Sequence, residues 1–342
     1  MIKLINKKSF LSSDLVNVTH VTPRLYKASL LIISLMLSSP ASHADLISNL
    51  PQIDRPSWLP ELPKDANFGF TTNTTKFNEL KKRLIEQKDR TALKPLKQLA
   101  DSGFSQAITL FGYIYDNEPK LVKLNPTIAA HYWAASARMN DPVAMYNLGV
   151  LYLYGRGVPQ TTDTAFRLFD LASQQTMGKA NYMLGKMYEV KKDYQGAIQA
   201  YEGCFNYQTI PKCKTRYGIL SIKTKAAKDI EINKVMAGLD DASSRGDPEA
   251  MYTLARLHAE GLLLSKSMEN MVASLEPLRI SPDPYWRKVA ADMYRAYNPS
   301  PDAIKKGRDN YRVSHIGGIV QGLLQSSVDD RRTVLEKGDL FT

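Results

Sequence analysis

At 342 residues with 44% hydrophobic content, the chain can bury a substantial core, in one or two compact domains or in one elongated array. Its formal charge is +11, yet no DNA-binding helix or zinc signature accompanies that excess, so nucleic acid is set aside as a partner. What remains is a solvated basic surface, or one drawn to acidic glycans, anionic headgroups or an acidic partner.

Arg24 and Lys27 precede the apolar run Ala28 to Leu37, and Ser38-Ser39-Pro40-Ala41-Ser42-His43-Ala44 follows it. A basic flank, a short apolar run and a small-x-Ala site predict a secretory signal peptide over 1–44, cleaved after Ala44. The segment Met1 to Pro23 is long for such a leader, which leaves a misplaced start or an uncleaved anchor as the alternatives to the favoured cleavage. The apolar run is too short to span a bilayer, and no cysteine follows it to carry a lipid. No integral membrane span is expected after signal removal, because no other apolar stretch approaches about 18 residues. Five basic residues of the leader against Asp14 account for four of the charges, leaving about +7 on 45–342. The expected location is the periplasm of a Gram-negative cell, with release to the outside as the alternative.

Residues 45–75 carry Pro51, Pro56, Pro60 and Pro63 around Trp58, a density that predicts an extended arm. Residues 76–103 hold two helical patterns, with Phe77, Leu80 and Leu84 in one and Leu93, Leu96 and Leu99 in the other. They read as the N-terminal cap of a stack, whose end unit must cover an exposed face.

From 104 to 297 a small residue inside a bulky helical pattern recurs: Gly112, Gly149, Gly185, Gly218, Ala255 and Ala291, at intervals of 37, 36, 33, 37 and 36. Such a period predicts about six helix pairs stacked as a solenoid. The central unit, Asp141 to Gln175, is the fullest. Gly149 permits close helix crossing, Gly155 and Gly157 permit positive φ, and Pro159 stops the first helix. Ala165, Leu168, Phe169 and Ala172 form one stripe of the second. Asn140-Asp141-Pro142 and Gly246-Asp247-Pro248 repeat a single junction: chain reversal, N-cap, then proline in the first turn.

The pattern of Ala144, Leu148-Gly149-x-Leu151-Tyr152, Gly155-x-Gly157-Val158, Ala165 and Leu168-Phe169 resembles Sel1-like repeats, relatives of tetratricopeptide arrays. The resemblance covers about 104 to 280 and implies an all-α, right-handed α/α superhelix acting as an interaction scaffold. Three features depart from it. Thr161 stands where an Asp cap is usual, only the central unit keeps both glycines, and Lys191-Lys192-Asp193 makes a short turn in the third.

Cys204 and Cys213 are the only cysteines. In an oxidising compartment they read as one disulfide; a metal site lacks further nearby ligands, and a redox pair calls for the tighter C-x-x-C spacing. The resemblance to the secreted, cysteine-bearing branch of the family implies that this bond ties one repeat to the next. Residues 298–342, with the apolar stretch His315 to Leu324, are expected to cap the C-terminal end.

Chemistry is sparse. His131, His258 and His315 each lack a partner at ligand spacing, and there is no nucleophile elbow, Walker loop or dinucleotide pattern. Gly155-x-Gly157 is a repeat loop rather than a phosphate cradle. Asp240-Asp241 and Asp329-Asp330 are neighbours on a helix and do not face each other. No catalytic residue, metal or cofactor is therefore expected. Tyr146, Tyr152, Tyr182, Tyr188 and Tyr252 recur at repeat positions, as interhelical packing or as the lining of a binding face. The functional expectation is a non-catalytic scaffold that binds a protein or peptide in the cell envelope, serving assembly, secretion or host contact. The alternative is a glycan- or peptidoglycan-binding protein, or a hydrolase of such a glycan.

Overall fold

A computed structural model describes residues 53, 72–205, 207, 210–224 and 230–313, which lie in the unit Ile53–Thr342. The expected signal peptide, most of the proline-rich arm, His315 and the C-terminal tail fall outside the described residues.

Among the described residues the fold is all-helical, with α1 (Thr72–Ile85), a 3-10 turn (Arg90–Ala92), α2 (Leu93–Asp101), α3 (Ser105–Asn117), α4 (Pro126–Arg138), α5 (Pro142–Tyr154), α6 (Thr162–Gln174) and α7 (Gly178–Val190). There follow α8 (Tyr194–Gly203), α9 (Pro211–Thr224), α10 (Ile232–Ser244), α11 (Pro248–Glu260), α12 (Met268–Arg279) and α13 (Pro284–Tyr297), with helix again over 301–313. Helix α1 begins at Thr72, inside the stretch expected to be extended. No proline lies between Pro63 and that point, and buried Phe77, Leu80 and Leu84 anchor its apolar face.

Each helix packs on the next, and the first helices α3 and α5, α9 and α11, and α11 and α13 also touch. This is the contact order of an α/α solenoid. What lets the two helices of a pair approach is the marker glycine. A Cβ on Gly112 would lie 2.4 Å from Trp133, on Gly149 2.9 Å from Phe169, and on Gly185 2.4 Å from Tyr201. The fourth pair is looser, with Gly218 at 3.2 Å from the flexible Leu239. Ala255 is buried at the corresponding place in α11.

The junctions between repeats use left-handed residues: Gly103, Asn140, Thr176 and Gly246. After Asn140, the Asp141 side chain accepts from the backbone N–H groups of Val143 and Ala144. Its second oxygen accepts from Thr109 Oγ1 at 2.9 Å. After Gly246 the same arrangement recurs, with Asp247 accepting from Thr215 Oγ1 at 2.6 Å. Each aspartate thus caps its own helix and ties it to the first helix of the preceding pair. Burial pushes the Asp141 carboxyl above its ordinary range, while the surrounding donors draw it back down.

In the central unit Gly155 is the left-handed C-cap of α5 and Gly157 also has positive φ. A Cβ on Gly157 would meet Thr127 N at 2.4 Å, so this loop rests on the start of α4. Arg156 from the same loop pairs with Asp116 of α3 at 2.6 Å. Thr161, at the departed cap position, makes no side-chain cap bond and its hydroxyl turns to the Pro159 carbonyl. Cys204 and Cys213 form a fully buried disulfide between the end of α8 and α9, with their Cα atoms 6.1 Å apart.

Candidate functional site

The first helices α5, α7, α9 and α11 present equivalent positions, counted from each marker residue, on one face of the stack. On α5 the residues that reach solvent are Pro142, Val143, Tyr146, Val150, Leu153 and Tyr154. None is charged. A helix apolar on every side is ordinarily buried, yet Tyr154 is 60% exposed. On α7 the same positions bring Lys179, Tyr182, Lys186, Glu189 and Val190, and Val190 is 84% exposed. Helix α9 contributes Lys212, Ile219, Ile222 and Lys223, and α11 contributes Glu249, Tyr252, Arg256 and Glu260.

A charged bridge crosses this face. Arg216 of α9 donates Nε to Glu189 Oε1 of α7 at 3.0 Å, pairs with the same carboxylate through Nη2, and donates Nη1 to Glu249 Oε1 of α11 at 2.7 Å. Tyr201 Oη also donates to Glu189, at 2.6 Å. Burial opposes the Arg216 charge, but the bond to Glu189 and the fields of both carboxylates outweigh it and raise its pKa. Further along, Arg256 pairs with Glu260 at 2.7 Å, and Tyr297 of α13 donates to the same oxygen at 2.8 Å. Burial first, then the Glu260 bond, pushes the Tyr297 phenol up to about 12.

The repeated tyrosines divide between two roles. Tyr152 is fully buried, whereas Tyr146, Tyr182, Tyr188 and Tyr252 are half-buried. Tyr146 packs on Phe169 at 5.6 Å, Tyr182 on Tyr201 at 6.0 Å and Tyr188 on Phe166 at 5.2 Å. One side of each of these rings serves the core and the other faces outward.

The remaining candidates stay apart. His131 lies on α4 and His258 on α11. Burial lowers the His258 pKa, and Asp240 partly opposes that shift. Asp241 instead binds Lys214 at 2.8 Å and Arg245 at 3.0 Å, so the two adjacent aspartates serve different neighbours. Among the described residues no group of three or more His, Cys, Asp or Glu is placed to hold a metal ion, and no helix is long and apolar enough to cross a membrane.

Sequence reading missed the Arg216 bridge. Its members are 27 and 33 residues apart, on three different helices. Aligning the markers was the available signal, since it places Glu189 near the end of one first helix, Arg216 early in the next and Glu249 at the start of the third.

The family described as Sel1 repeat matches residues 105–141, 142–177, 178–199 and 248–270. The chain carries Sel1 repeats. The matched segments take in α3 to α7 and α11, and leave out the α9–α10 pair, where the glycine contact is loosest. A Sel1 repeat protein from Oxalobacter formigenes is similar in structure, with a TM-score of 0.51 and 22% identity over 69% of this chain and 99% of that one. That likeness concerns the fold. A protective antigen of uropathogenic Escherichia coli strains, displaying an SLR fold, aligns at a TM-score of 0.37 and 14% identity over 79% of this chain and 70% of that one. Sel1 repeats form helical scaffolds, generally without catalysis and typically engaged in protein–protein interaction.

Proposed function

We propose that this protein is an exported, non-catalytic Sel1 scaffold that holds a protein partner in the cell envelope through the face of its first helices. The observation that carries the reading is the outward stripe of α5, which has no charge from Pro142 to Tyr154 and ends in the exposed Tyr154. Exposed aromatic and aliphatic side chains at consecutive repeat positions, rimmed by charge, are the composition of a protein-binding patch. Export is supported by the leader pattern before Ala44, and a buried Cys204–Cys213 disulfide suits an oxidising compartment. The four carboxylates on first helices α3 to α11 are each engaged by an arginine, which suits a structural role better than acid–base chemistry.

The test is photo-cross-linking in intact cells from positions 150, 186 and 219. A discrete protein adduct, lost when the α5 stripe is made polar, is expected. Adducts to envelope polysaccharide alone, or none, would overturn the scaffold reading in favour of a glycan-directed one.

A further inference from the structure

The charges on the first helices do not balance. Helices α3, α5, α7, α9 and α11 carry four carboxylates: Asp116, Glu189, Glu249 and Glu260. All four are bound by Arg156, Arg216 or Arg256. Their negative charge is therefore spent within the protein. Lys186, Lys212 and Lys223 are exposed on α7 and α9, and no carboxylate among the described residues pairs with them. The first and third of these ammonium groups rest on aromatic rings: Lys186 lies 5.8 Å from the Tyr182 centroid and Lys223 4.9 Å from that of Tyr194. Ring contacts leave the positive charge in place and steady the side chain that carries it. The face thus runs from an uncharged apolar stripe on α5 to a cationic surface on α7 and α9.

We propose that this face takes an acidic peptide segment with an apolar block at one end, the block lying on α5 and the carboxylates on Lys186, Lys212 and Lys223. The inference rests on the scaffold reading and names its partner by charge and polarity. An acidic polysaccharide matches the lysines and a sugar ring can stack on Tyr154, but the aliphatic Val143, Val150 and Leu153 beside it offer a sugar nothing, so the α5 stripe as a whole favours a peptide. Exposed ammonium groups add specificity and encounter rate more than affinity, while the apolar block supplies the anchor.

The full chain is titrated with a fluorescein-labelled peptide bearing a leucine–phenylalanine block followed by a glutamate run. A lysine-run counterpart and an acidic polysaccharide serve as competitors. Saturable binding of the glutamate peptide is expected, weakening with salt and reduced at least about tenfold by the triple variant Lys186→Glu, Lys212→Glu, Lys223→Glu. Tyr154→Ser weakens it independently. These four side chains are exposed, so both variants keep the parent's melting temperature, which separates lost binding from lost folding. Equal binding of the two peptides, an unaffected triple variant, or binding of the glutamate peptide indifferent to Tyr154→Ser overturns the proposal. If cross-linking in cells still traps a protein while the acidic peptide fails, the scaffold reading stands and the partner chemistry falls. If cross-linking traps no protein, the scaffold reading fails, and the inference falls with it.

Discussion

The indole of Trp133 lies against the bare backbone of Gly112, and its Nε1 donates to the Thr109 carbonyl at 3.1 Å. The two helices of this pair therefore meet at backbone-to-ring distance, with no space for a methyl group. Gly149 with Phe169 and Gly185 with Tyr201 repeat the contact.

Gly112→Ala and Gly185→Ala are expected to destabilise the protein by about 1–3 kcal/mol, the usual cost of overpacking, despite alanine's better helix propensity. Gly218→Ala should change stability by less than about 1 kcal/mol, because its nearest neighbour is the movable end of Leu239. Chemical denaturation of the three variants checks the order. A Gly112→Ala protein as stable as the parent would show that the ring is not held where the structure puts it.

Replacing Arg216 with methionine removes the bridge between α7, α9 and α11 and leaves Glu189, only 18% exposed, without its cation. Because Arg216 itself is 26% exposed, the expected loss is about 2 kcal/mol rather than the 3–5 of a fully buried pair. Glu249→Gln, at the more exposed end of the bridge, should cost less than about 1 kcal/mol. Thermal melts of both variants at low and high salt distinguish them.

His258 predicts a pH dependence. Burial lowers its pKa in the folded state, and its Nδ1 is buried without a hydrogen-bond partner among the described residues. Above pH 6.5 the imidazole is neutral whether the chain is folded or not, so it exacts no penalty. As pH falls below 6.5 the unfolded chain takes up a proton that the folded one resists, and stability drops until the folded-state pKa is passed. His258→Gln should flatten the melting-temperature profile in that window. Titration of the ring by NMR is expected to give a midpoint below 6.5.

The disulfide closes a short loop, and the double variant Cys204→Ala, Cys213→Ala should lose about 3 kcal/mol in the chain-entropy account. Protein purified from the cell envelope should react with a thiol alkylating agent only after both reduction and denaturation, since both sulfurs are fully buried. Two thiols titrating in denaturant without reductant would show that the chain matures in a reducing compartment, which would also remove support for export.

The repetition of a small residue at a nearly constant interval was enough to determine that the chain folds as helix pairs, because every unit solves the same packing problem against its neighbour. Local chemistry was equally readable at Asn140-Asp141-Pro142 and Gly246-Asp247-Pro248, where reversal, cap and first turn depend on adjacent residues alone. Only the tertiary structure decided which large side chain meets each glycine. Trp133, Phe169, Tyr201 and Leu239 stand on second helices, and an apolar stripe such as the one through Phe169 marks a buried side without naming the residue it meets. The Arg216 bridge and the surplus of Lys186, Lys212 and Lys223 were hidden for the same reason. Whether a charge is neutralised or available depends on three helices coming to one face, and that is a property of the stack rather than of any segment in it.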